Sequence, residues 1–226
     1  MEYQVKGAPF PVLICRLNAG ESIDCQKGAM SWMTPNMQMQ TSAGGGLGKL
    51  FTRAVSGESI FKNKYTAQGG AGEIAFASTV PGNIVPVEIS GSKQIVAQKS
   101  AYLASTPGVE MEMFFQKKIG AGFFGGEGFI MQKFVGEGTV FVEMDGSVME
   151  YNLDAGESMI LDTGYLAMMD ATCSIDIQST GSVGNALFGG EGLFNTKVTG
   201  PGRVWIQTLP INALAGAIQP YIVTSN

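Results

Sequence analysis

One block of this sequence is written twice: Phe124-Gly125-Gly126-Glu127-Gly128 recurs as Phe188-Gly189-Gly190-Glu191-Gly192. An internal repeat constrains a fold more than any single motif does, because each copy must adopt the same local structure and pack against its neighbours. The same shift of 64 superposes Gly120 on Gly184, Lys133 on Lys197, Gly136 on Gly200 and Gly138 on Gly202 without a gap. Carried backwards, it pairs Val87 with Tyr151, Ile89 with Leu153, Val96 with Ile160, Tyr102 with Leu166 and Met111 with Ile175, apolar on apolar each time. A third copy stands at the front. Ala19-Gly20-Glu21-Ser22 repeats as Ala155-Gly156-Glu157-Ser158, and the same shift of 136 brings Gly28 onto Gly164. There Gly57-Glu58-Ser59-Ile60-Phe61 takes the place of the Gly-Glu-Gly-aromatic element and Gly70-Ala71-Gly72 that of Gly136-Glu137-Gly138, with small insertions. The repeats run over 10–82, 83–146 and 147–209, with a C-terminal tail at 210–226.

Within each copy the apolar period is two. Val109-Glu110-Met111-Glu112-Met113 and Cys173-Ser174-Ile175-Asp176-Ile177 alternate strictly, as half-buried strands do. Ser22–Gln26, Thr139–Glu143 and Arg203–Gln207 are β-branched or aromatic runs bounded by glycine or charge. The 32 glycines in 226 residues are about twice average usage, which suits many tight turns between short strands. Only 46–55 and 212–218 read as short helices. The expected fold class is all-β. A unit near 60 residues buries only about 60% of its extended surface, so the copies must share burial in one compact structure. Three like units pack most simply around a pseudo-threefold axis, with an open stack of repeats as the alternative, and uncovered strand edges favour a homo-oligomer.

Composition removes several function classes. A net charge of −5 is a poor match for nucleic acid, since neutralising phosphates takes clustered Lys and Arg, and the pairs Lys62/Lys64 and Lys117/Lys118 read as solvated faces. Three cysteines, Cys15, Cys25 and Cys173, form neither a CxxC pair nor an even set, which fits a reducing compartment. The first residues carry no signal- or transit-peptide pattern, and the apolar stretch 209–223 is too short and too interrupted to span a bilayer, so the expected location is the cytoplasm. With no histidine, Ser-His-Asp and Cys-His catalysis and His-based metal sites are excluded, and no other catalytic motif is present. The segment Ser42–Leu50 falls short of a phosphate-binding loop, with Ala43 where the first glycine belongs and Leu50 where Ser or Thr belongs. Gly70-Ala71-Gly72-Glu73-Ile74-Ala75 leads into a strand and not into the helix a dinucleotide site requires.

The strings Gly28–Met33, Gly44–Leu47, Arg53–Phe61, Pro81-Gly82, Gly189–Leu193 and Val204–Thr208 together resemble the family named for altered inheritance of mitochondria protein 24, over nearly the entire chain. That resemblance implies a short double-stranded β-helix, sandwich-like, repeated three times in an arrangement similar to neighbouring subunits of the ring-forming tryptophan RNA-binding attenuation protein. It implies no established activity. Bacterial members are largely uncharacterised, and a fungal member is linked to organisation of the mitochondrial inner membrane.

The repeat places one carboxylate in three equivalent positions: Glu58, Glu127 and Glu191. Flanked by small residues, each can accept backbone N–H hydrogen bonds and fix a turn. In the alternative they face the axis, where mutual repulsion calls for a lysine or a hard cation such as calcium. Trp32, Trp205, Phe129 and Phe141 read as core, and Met30, Met33, Met37 and Met39 as core or subunit packing. No catalytic, cofactor-binding or metal residue is otherwise assigned, and no cofactor is expected. The expected function is a non-enzymatic oligomeric scaffold or protein-interaction module. A small-molecule-binding module with sites at the repeat junctions is the alternative.

Overall fold

The structure, a computed structural model, describes residues 1–43, 61–117, 128–179 and 194–222. Nearly all of it is antiparallel β. In chain order the strands are β1 (Glu2–Lys6), β2 (Val12–Leu17), β3 (Ser22–Gln26), β4 (Trp32–Met33), β5 (Met37–Ala43), β6 (Phe61–Ala67) and β7 (Gly72–Ala77). Then come β8 (Gly82–Ile89), β9 (Ile95–Gln98), β10 (Tyr102–Ser105), β11 (Val109–Lys117), β12 (Phe129–Gly136) and β13 (Gly138–Asp145). The last are β14 (Val148–Leu153), β15 (Ser158–Asp162), β16 (Leu166–Asp170), β17 (Ser174–Ser179), β18 (Phe194–Thr199) and β19 (Gly202–Gln207), followed by a short helix, α1 (Ile211–Ile218). Among the described residues no helix is long and apolar enough to cross a membrane.

Alternation explains these strands locally. Along β11, Val109 is buried, Glu110 and Glu112 are exposed, and Met111 and Met113 lie between; β17 repeats the pattern with Ser174 and Asp176 outside and Ile177 buried. Gly72 opens β7, so the glycine-rich stretch at 70–72 does feed a strand. The helix read at 212–218 is α1, while the one read at 46–55 lies outside the described residues.

The strands form four sheets, ordered β1-β2-β7-β4, β5-β6-β3-β10-β13-β8, β11-β12-β9-β16-β19-β14 and β15-β18-β17. Leu17 faces Gly72, Ile89 faces Gly138 and Leu153 faces Gly202 in the pairs β2·β7, β8·β13 and β14·β19. Closure about a threefold axis would pair a strand of 147–209 with one of 10–82. Among the described residues no such pair occurs; β4 and β15 each end a sheet, and the pairing runs openly through β3·β10 and β9·β16.

Three apolar clusters fill the interior, and none is confined to one of the stretches 10–82, 83–146 and 147–209. The first joins Leu13, Ile23, Ile74 and Phe76 to Ile84, Leu103 and Phe141. The second joins Val87, Tyr102 and Phe134 to Met168 and Trp205, and the third joins Phe129 and Met131 to Leu166 and Val198. Phe129, Phe141 and Trp205 are thus core residues, as the strand pattern implies. Trp32 is not: it sits half exposed on the two-residue edge strand β4, whose far edge no strand pairs with among the described residues. Lys62 and Lys117 also depart from the reading as solvated charge. Lys62 donates to the Val109 carbonyl at 3.4 Å and stands 5.5 Å from the Tyr102 ring centre, and burial lowers its pKa. Lys117 donates to the Ile177 carbonyl at 2.9 Å beside the Phe194 ring.

Candidate functional site

A cavity of about 380 Å³ opens where the ends of β3, β7, β9, β13 and β19 converge. Its lining draws on all three stretches and the tail: Lys27 and Ser31 from the first, Gln98, Glu143 and Asp145 from the second, Gly164 and Gln207 from the third, and Asn212 from the tail. Two buried amides organise it. The Gln98 side-chain Nε2 donates to the carbonyls of Gly164 and Leu166, and the Gln207 Nε2 donates to the same Gly164 carbonyl at 2.9 Å. The Gln207 Oε1 in turn accepts the Asp145 backbone N–H at 3.0 Å. Each amide therefore has its hydrogen bonds made, which is what keeps a buried polar side chain in one rotamer. The start of α1 covers one side, with the Ile211 backbone N–H donating to Asp145 Oδ2 at 3.1 Å.

Glu143 and Asp145 are two apart on β13, so both side chains fall on the same face. Ser78 Oγ hydrogen-bonds Glu143 Oε1. Burial pushes the Asp145 carboxyl up to about 6, with the charge of Glu143 adding to it and the Ile211 N–H opposing. The folded protein thus holds this proton more tightly than an unfolded chain, whose ordinary value is 3.8. Its contribution to stability is fully present below about pH 4 and is lost as pH rises through about 6. Partial contact with water discounts the effect to roughly 1 kcal/mol. Asp145→Asn should flatten the urea midpoint between pH 4 and pH 7, where the parent protein loses that amount; an unchanged slope would exclude Asp145 as its source.

Chemically, the cavity offers carbonyl, amide and carboxylate groups to a small polar guest. Its hydroxyls, Ser31, Thr79 and Ser100, have no histidine to activate them, since the chain contains none.

The three carboxylates singled out by the repeat, Glu58, Glu127 and Glu191, all lie outside the described residues. A turn-fixing carboxylate of that kind is present at Glu21 and at Glu157. Glu21 Oε2 accepts the Asn18 backbone N–H and Glu157 Oε2 accepts that of Asp154, both at 2.8 Å, beside Gly20 and Gly156 with φ of +83° each. The signal was the shared Ala-Gly-Glu-Ser string.

A second surface stands out at the open ends of the sheets. Trp32 and Met33 on β4, and Ile160 on β15, are large apolar side chains exposed on edge strands. Exposed edges of this kind pair with other chains unless they are covered or charged.

A family model described as Mitochondrial biogenesis AIM24 matches residues 3–209. An uncharacterized protein of Streptococcus pyogenes serotype M6 is 33% identical over 226 residues, spanning 96% of this chain and 89% of that protein. The X-ray crystal structure of a Streptococcus pyogenes protein superposes with a TM-score of 0.81 at 28% identity, over 98% of this chain and 99% of that one.

Proposed function

The chain belongs to the Mitochondrial biogenesis AIM24 family, and from that premise we propose that it is a non-enzymatic scaffold that assembles with itself and presents its surface to other proteins. Its building blocks are three tandem short double-stranded β-helix units at 10–82, 83–146 and 147–209, followed by the tail 210–226. The like registers of β2·β7, β8·β13 and β14·β19 support that division. The observation that carries the scaffold reading is the pair of sheets β1-β2-β7-β4 and β15-β18-β17, each ending, among the described residues, in an unpaired strand edge with exposed apolar side chains. Three free, buried cysteines suit a reducing compartment, and we place the protein in the cytoplasm.

A second reading, a small-molecule-binding module, is favoured by the cavity lined from all three units. Native mass spectrometry of protein purified gently from its own host separates the two. An oligomer of this chain carrying only polypeptide is expected. A monomer with a stoichiometric non-protein mass overturns the scaffold and puts the ligand module in its place.

A further inference from the structure

We propose that copies of this chain join head to tail by strand pairing, with β15 of one copy running antiparallel to β4 of the next. The inference rests on the scaffold reading and supplies its partner, its edges and its register.

Sheet order carries the argument. Each six-stranded sheet is two three-stranded halves joined at one seam, β3·β10 in one and β9·β16 in the other. Each remaining sheet holds one such half, extended by β1 in the sheet β1-β2-β7-β4. In β15-β18-β17, β15 pairs with β18 as β3 pairs with β6 and β9 with β12, and among the described residues no strand pairs with its far edge. In β1-β2-β7-β4, β4 pairs with β7 as β10 pairs with β13 and β16 with β19, and among the described residues no strand pairs with its far edge either. One half therefore lacks what the other presents. Joined between copies, they make one continuous sheet, β17-β18-β15-β4-β7-β2-β1.

The two existing seams also fix the register. Met168 faces Ala97 and Met169 faces Val96 in one; Ala104 faces Cys25 in the other. Shifts of 64 from Ala97 and 136 from Cys25 lead to the same residue, Leu161. On the other side, Trp32 faces Ala75 as Ala104 faces Phe141 and Met168 faces Trp205, each partner lying three residues after Gly72, Gly138 or Gly202. Leu161 of one copy then faces Trp32 of the next, and Ile160 faces Met33.

Burial agrees with this register. Cys25, Val96, Ala97, Ala104, Met168 and Met169, which form the two internal seams, are all fully buried. Their counterparts Trp32, Met33 and Ile160 are 48%, 37% and 61% exposed. Edge strands are ordinarily blunted with Lys or Pro, and β15, Ser-Met-Ile-Leu-Asp, has neither. Because the two edges differ, the contact is heterologous: every copy uses both, and assembly proceeds to a closed ring or an open filament.

The test uses the full chain as two single variants, Met33→Cys and Ile160→Cys. Facing residues in an antiparallel pair stand about 4.5–5.5 Å apart at Cα, within disulfide reach. The native cysteines are buried and free. After mixing and mild oxidation, a disulfide-linked dimer is expected from the mixture and from neither variant alone. Ile160→Lys should weaken assembly at least about 30-fold by light scattering while leaving far-ultraviolet circular dichroism unchanged. If the wild-type protein is an oligomer but the mixture stays unlinked, or if either variant links to itself, head-to-tail pairing is overturned and the scaffold reading stands. A wild-type protein that is monomeric at the highest workable concentration overturns both.

Discussion

Replacing Phe141 with alanine is expected to lower the unfolding free energy by about 4 kcal/mol and the melting temperature by roughly 10 °C. Phe141 is fully buried on β13, facing Ala104 of β10 and Pro86 of β8. Its ring meets that of Tyr3 edge-on, 4.9 Å between centroids. The side chain belongs to 83–146, yet it fills the cluster built by Leu13, Ile23, Ile74 and Phe76 from the first stretch. The cavity left by its removal is walled by two stretches of chain that depend on each other for burial, so collapse around it is restricted. Urea unfolding should therefore keep one cooperative transition at a lower midpoint. Two separated transitions, or a loss below about 1 kcal/mol, would show that 10–82 folds on its own core.

Phe141 also illustrates what could be read in advance. It stands in a run, Thr139–Glu143, whose composition and glycine boundary mark a strand, and alternation marks β11 and β17 equally well. These are local properties, and periodicity reports them. Trp32 shows the opposite case. By composition it is core, but its burial depends on whether a strand lies beside β4, and no local pattern carries that information. The cavity was hidden for the same reason: Gln98, Glu143 and Gln207 come together only through the registers of β9, β13 and β19. The repeat alone did not choose between a threefold arrangement and an open stack. Like units need to bury like faces, but an open chain of seams does this as well as a ring does, and leaves two edges over. Lys62 and Lys117 were misread because a charged pair near an apolar strand can lay its stem along that strand and give its ammonium to a backbone carbonyl.

The same distinction between local and tertiary constraint gives glycine substitutions opposite signs. Gly202 has φ of +141°, a region L side chains rarely adopt, and it faces Leu153 in β14. A Cβ there would stand 2.7 Å from Thr172 Oγ1, 2.8 Å from Cys173 Sγ and 3.1 Å from Asp170 Cβ. Asp170 cannot retreat freely, since its carboxylate accepts the Arg203 backbone N–H at 3.0 Å and the Arg203 guanidinium at 3.1 and 3.2 Å. Strain and crowding together make Gly202→Ala cost about 3 kcal/mol. Gly138, at φ of +145° and crowded by Thr106 and Val109, should respond alike. In contrast, Gly216 lies within α1 with nothing within 4 Å of an added Cβ, and Gly216→Ala should stabilise by up to about 0.5–1 kcal/mol through helix propensity. Denaturant titrations of the three variants check the signs. Equal losses at 202 and 216 would mean that glycine matters here only through chain flexibility, whereas opposite signs tie the cost at 202 to its backbone angle and to the side chains packed over it.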